Sequence, residues 1–227
     1  MQRFAAVLLI VSVMLIAPAA NAKKKAAASQ ADQTLSALLD GNKRYVAGKP
    51  QRPHQNAGRR AELSKGQKPR AAVLGCADSR VPPELLFDQG LGDIFVVRVA
   101  GNIVDDVALG SLEYAAEHLG VDLIIVLGHS SCGAVAATLK GGEAPGHLGA
   151  LVKAIKPAVD ECRGKPGDAL DNAVHANVRR VVAQISSSKP VLGHLVKEGT
   201  LKVVGAHYDI TTGAVTLVPE TASAKAH

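Results

Sequence analysis

Three short apolar runs do most to limit how this chain can fold. They are Ala71-Ala72-Val73-Leu74-Gly75, Ile94 to Val99, and Leu123-Ile124-Ile125-Val126-Leu127. None alternates apolar with polar residues, so each reads as a strand covered on both faces, the pattern of a parallel sheet rather than a half-exposed antiparallel one. Between the second and third runs, Val107, Leu112, Ala115, Ala116 and Leu119 recur at helical spacing. Asp105 and Asp106 supply N-cap candidates there, and Gly120 supplies a stop. A second helical stretch, Gly133 to Leu139, follows the third run. Strand, helix, strand, helix in that order predicts an α/β fold: a mainly parallel central β-sheet with flanking helices.

The remaining segments extend this plan without a second domain. Leu35, Leu38 and Leu39 lie on one face of a helix that starts near Thr34 and is stopped by Gly48-Lys49-Pro50, giving an N-terminal helical arm. Ala61 to Ser64 is a candidate short helix. Val174, Val178, Val181, Val182 and Ile185 form an apolar helical stripe. Lys202–Tyr208 and Ala214–Val218, joined through Thr211-Thr212-Gly213, predict an antiparallel hairpin at the sheet edge. Ahead of the domain, Arg3, the apolar run Phe4–Ile16 and Ala20-Asn21-Ala22 have the order of a signal peptide over residues 1–22. That run is too short to span a bilayer comfortably, so no stable membrane span is expected after cleavage, and the product is expected in the periplasm or secreted. Residues 23–33 then read as a flexible leader and 34–227 as one domain.

Apolar residues make up 47% of the chain and charged ones 20%, enough for a core and against disorder. Trp is absent and aromatics are 3%, so that core must be aliphatic. The net charge of +6 could point to nucleic acid, but Lys and Arg are scattered and stacking residues are scarce, so nucleic acid is not an expected partner.

Cys76-Ala77-Asp78-Ser79-Arg80 follows the first strand, and His129-Ser130-Ser131-Cys132 follows the third. In parallel sheets, sites form where strands end at their carboxyl side. Two thiolates and an imidazole suit zinc and leave a fourth tetrahedral position open. Residue chemistry alone leaves two other readings: Cys76 and Cys132 as buried small hydrophobes beside a core histidine, or as a disulfide or redox pair in an oxidising compartment. Cys162 belongs to neither motif and reads as a bystander thiol. His54, His118, His147, His175, His194 and His207 show no partner pattern.

Cys76-x-Asp78-x-Arg80 with His129-x-x-Cys132 resembles the signature of the β-class carbonic anhydrases. The likeness runs through Gly75–Gly90, Arg98-Val99-Ala100-Gly101-Asn102, Gly110–Tyr114 and Gly128–Ala134, within a span from about Thr34 to Val218. The resemblance implies Cys76, His129 and Cys132 as ligands of Zn2+. It implies Asp78 and Arg80 as a catalytic dyad, the arginine holding the aspartate off the metal; in a closed state Asp78 could become a fourth ligand. Gln67, Phe95 and Tyr114 resemble substrate-binding residues. The implied activity is zinc-dependent reversible hydration of carbon dioxide to bicarbonate and a proton, by attack of zinc-bound hydroxide. Related zinc enzymes hydrolyse carbon disulfide or carbonyl sulfide instead, and a non-catalytic zinc or redox protein is a further alternative. The resemblance also implies a homodimer or homotetramer in which the N-terminal helix embraces a neighbour.

Overall fold

The computed structural model describes residues 19–219. The segment read as a signal peptide lies outside the described residues up to position 18. Helix α1 spans Ala19–Val46, so the helical pattern noted from Thr34 continues back through the residues read as a leader. After it come α2 (Ala57–Leu63), β1 (Ala71–Gly75), α3 (Pro83–Leu86), β2 (Ile94–Arg98), a 3-10 turn at Ala100–Asn102, α4 (Asp106–Glu117) and β3 (Leu123–His129). The second half holds α5 (Gly133–Lys140), α6 (Leu148–Cys162), α7 (Ala169–Ser187), α8 (Leu192–Lys197), β4 (Lys202–Tyr208) and β5 (Val215–Val218).

The strands form one sheet in the order β2-β1-β3-β4-β5. β1 pairs in parallel with β2 and β3, and β3 with β4, while β5 runs antiparallel to β4 at the edge. This is the expected mainly parallel sheet with an edge hairpin. Every residue of β1 and β3 is buried, as their unbroken apolar character requires, but β2, expected to be covered on both faces, lies at the sheet edge and buries only Ile94. Alternate side chains leave the sheet on opposite faces. Ala71, Val73, Leu123, Ile125 and Leu127 pack with Leu35 and Leu38 of α1 and with Phe87. Ala72, Leu74, Ile124 and Val126 pack with Leu112 of α4, Val178, Val181 and Ile185 of α7, and Leu192 of α8. Burying each such Leu, Ile or Phe is worth about 1.5–3 kcal/mol. The arm helix therefore docks on its own chain through Ala31, Leu35 and Leu38.

Local chemistry sets the boundaries. Asp105 caps α4 by accepting from the Ala108 amide, and Gly120 leaves that helix at φ 71°, a left-handed position suited to glycine. Helix α6 has no counterpart in the sequence reading; Pro157 lies inside it, and its buried face is Ile155, Ala158, Val159 and Cys162. Helix α7 lies close over β3 and β4. A side chain at Gly128 would meet Val178 Cγ2 at 2.5 Å, and one at Gly205 would meet Val178 Cγ1 at 2.7 Å.

Buried Asn42 ties the arm to both ends of the domain. Its Nδ2 donates to the carbonyls of Leu86 (3.0 Å) and Gly213 (2.9 Å), and its Oδ1 accepts from the Val215 amide at 2.8 Å. Asn42→Leu would strand three backbone groups out of water, and each unsatisfied group costs about 1–3 kcal/mol. Urea denaturation of the variant should show a loss of at least about 2 kcal/mol; an unchanged midpoint would disprove the anchoring role.

Candidate metal centre

The chain leaves β1 towards β2 on one side and β3 towards β4 on the other, which opens a crevice at the carboxyl ends of β1 and β3. Cys76 is the first residue past β1, and His129 is the last of β3. Cys132 sits at the N-cap of α5, three residues on, after a turn in which Ser131 takes φ 55°. The ligand atoms of Cys76, His129 and Cys132 all lie within 4.8 Å of one another, and all three residues are buried. The sequence reading placed these three together, and the fold does so.

Each ligand is aimed by a second interaction. His129 Nδ1 lies 2.9 Å from the Ser130 carbonyl, which fixes that nitrogen as the donor and leaves Nε2 with its lone pair free. Nε2 is fully buried and has no hydrogen-bond partner. An orphaned imidazole nitrogen between two sulfurs is what a soft or borderline cation such as zinc would satisfy. The Cys76 sulfur accepts the Gly101 amide at 3.2 Å. Gly101 can approach because it takes φ 72°, and because it lacks a Cβ that would sit 2.6 Å from Ile155 Cδ1. Its carbonyl is held by Asn177 Nδ2 of α7 at 2.8 Å.

The two thiols do not behave alike. Close contact with Cys132, followed by help from His129 and nearby backbone amides, draws the Cys76 thiol down against the cost of burial. Cys132 is pushed up, first by that same contact with Cys76 and then by burial, although the Ala134 and Val135 amides at the start of α5 favour its anion. One thiolate is thus easy and the second unfavourable without a positive charge between them. A dication relieves that repulsion. All three cysteines, including Cys162, are free thiols in the structure. Cys162 donates to the Asn172 carbonyl at 3.2 Å, away from this centre.

Asp78 and Arg80 form a bidentate pair, Nε to Oδ1 at 2.9 Å and Nη2 to Oδ2 at 2.7 Å, with the Arg80 amide adding a third bond to Oδ1 at 3.0 Å. Arg80 holds the Asp78 carboxyl well below the usual carboxylate range. Nη2 of Arg80 also reaches the Ser131 carbonyl at 3.3 Å, tying the two motif loops together. Asp78 Oδ2 lies 3.9 Å from His129 Nε2. Arg98 had no assigned role in the sequence reading. It ends β2 and clamps the first loop, with Nε donating to the Cys76 carbonyl at 2.9 Å and Nη2 to the carbonyl of Asp78. An arginine closing an otherwise apolar strand is the signal that could have marked it.

Of the three residues read as substrate-binding, two touch each other and the third lines a surface groove. Phe95 of β2 and Tyr114 of α4 are in tilted contact, ring centroids 6.4 Å apart, and Tyr114 remains 47% exposed. Gln67 lines a groove of about 610 Å³ with Arg60, Leu63 and Leu91, to which no residue of the metal trio contributes. Among the histidines, His54 pairs with Asp93 at 2.7 Å, while His175 and His207 share Asp171.

Residues 71–215 match the family model described as carbonic anhydrase. A carbonic anhydrase of Mycolicibacterium smegmatis is 45% identical over 185 residues, which cover 80% of this chain and 90% of that protein. Among solved structures, the Coccomyxa β-carbonic anhydrase in complex with acetazolamide superposes with a TM-score of 0.65 at 32% identity, covering 70% of this chain and 75% of that one. A tetrameric β-carbonic anhydrase of Sordaria macrospora gives a TM-score of 0.65 at 28% identity, covering 82% and 97%. With the strand-end trio in place and likeness of this extent, the chain belongs to the β-carbonic anhydrase family.

Proposed function

We propose that this chain catalyses the reversible hydration of carbon dioxide, with zinc held by Cys76, His129 and Cys132 and with Asp78 and Arg80 as its catalytic dyad. The observation that carries this is the buried thiol–imidazole–thiol trio, its His129 Nε2 unpartnered, beside a carboxylate locked by arginine. Zinc held there would supply Lewis acidity that eases the deprotonation of water, chemistry for which carbonic anhydrase is itself the standard example. The protein supplies the orientation. Asp78, anionic and gripped by two parallel bonds, would accept a hydrogen bond from the attacking oxygen and so orient it. Arg80 keeps that carboxylate engaged, so it does not compete for the metal. The Gly101 amide draws charge from the Cys76 sulfur and tempers what the thiolates donate.

The same reading extends to the assembly and location of the enzyme. Gln67, Phe95 and Tyr114 would complete the substrate side at the interface of a homodimer or homotetramer. Val107 (78% exposed) and Tyr114 on α4, with Leu91 beside Gln67, offer apolar surface for that contact. The order of charged, apolar and small residues over 1–22 supports export to the periplasm or beyond. No helix among the described residues is long and apolar enough to cross a membrane.

Stopped-flow hydration of carbon dioxide, with and without a zinc chelator, tests the core of the proposal. Cys132→Ser should lose both zinc and turnover; one zinc per chain with near wild-type rates would overturn the ligand set. Asp78→Asn should keep its zinc and fall about 100-fold in kcat/KM, the scale of losing a positioned proton acceptor. Because Arg80 holds Asp78 below the ordinary carboxylate value, its charge and its contribution to stability persist at neutral pH. That contribution is lost only as pH falls below about 4 and onward through the depressed folded value. No activity step between about pH 5 and 9 should therefore vanish in Asp78→Asn, and a pH–rate profile that loses one would count against the assignment.

A further inference from the structure

Besides the thiolate centre, the described residues contain one other group able to share a cation. Asp171 and His175 stand one turn apart on α7, four residues along, so both project from the same face. His207 of β4 meets them from the sheet. Their ligand atoms all lie within 4.8 Å of one another. His175 Nδ1 is 3.3 Å from Asp171 Oδ2, and His207 Nε2 is 3.7 Å from Asp171 Oδ1. Ligand atoms bonded at about 2.0–2.2 Å to one tetrahedral ion stand about 3.4 Å apart, so both spacings need little adjustment. The His175 and His207 rings are 4.6 Å between centroids.

A second observation separates this group from a surface ion-pair cluster. His207 is only 8% exposed, and its Nε2 is buried without a hydrogen-bond partner, since 3.7 Å is too long for one. An unsatisfied buried ring nitrogen is costly unless something fills the position. Burial, followed by repulsion from His175, holds His207 below the ordinary imidazole value, which keeps it neutral and its lone pair available. Asp171 and His175 are partly exposed, so an ion can arrive from solvent. Two imidazoles and one carboxylate, with no sulfur, suit a borderline divalent transition metal with open positions left for water.

We propose that Asp171, His175 and His207 form a second binding site for a divalent transition-metal ion, zinc foremost, separate from the thiolate centre. The test is calorimetric titration of the zinc-loaded full-length chain with further zinc chloride, with metal counted by mass spectrometry. A second zinc per chain should bind. Its dissociation constant should rise about tenfold or more in His175→Gln and in Asp171→Asn, while the first zinc stays in place. Both substitutions fall on partly exposed side chains, so folding is not at risk as it would be at His207. Cobalt(II) added to the zinc-loaded chain should give a visible spectrum without a sulfur-to-metal charge-transfer band, which excludes exchange at the cysteines. Saturation at one zinc per chain, or a second equivalent bound equally well by both variants, would overturn the site.

Discussion

Parallel pairing of β1 with β3, Gly75 opposite Leu127, makes both strands deliver their carboxyl ends to the same edge of the sheet. Everything at the metal centre follows from that register. Cys76 leaves β1 directly after the paired Gly75, and His129 ends β3 two residues beyond Leu127. A slip of one residue would send the apolar side chains of β1 to the wrong faces and turn Cys76 away from the crevice. The aliphatic core on both sides of the sheet is what forbids the slip. Leu74 and Ile124 are committed to the α7 face, and Val73 and Ile125 to the α1 face.

Position is then converted into chemistry by backbone groups rather than by more side chains. The Ser130 carbonyl selects the histidine tautomer, the Gly101 amide meets one sulfur, and Arg98 grips the carbonyls of Cys76 and Asp78. Arg80 joins the two loops by holding Asp78 and the Ser131 carbonyl together. The centre is thus a set of main-chain contacts closed by two arginines. That explains why glycine and arginine, not only cysteine and histidine, recur around it.

Strands β1 and β3 were legible because full burial leaves a plain mark, an apolar run without alternation, and β1 begins and ends at the residues that pattern indicated; β2 carries the same mark yet buries only Ile94 at the sheet edge. Helix α4 was equally plain from Asp105 to Gly120. Helix α6 escaped because Pro157 interrupts its helical character, and α3 because four residues carry no period. At the site, Cys76, His129 and Cys132 could be named because ligand types at strand ends are distinctive. The supports could not: Asn177 reaches Gly101 across 76 positions, a contact that no local pattern encodes. Gln67 and Tyr114 were named from resemblance alone, since neither lies in a motif of distinctive chemistry and both are exposed.

The reach of α7 carries a consequence for the order in which the fold can be completed. All three ligands of the trio lie within the first 132 residues, yet the carbonyl of Gly101 is held by Asn177, 76 positions further on. Val178, on the next position, must also settle over the bare backbone of Gly128 and Gly205, so docking waits for β4 as well. The centre is therefore encoded early and finished late.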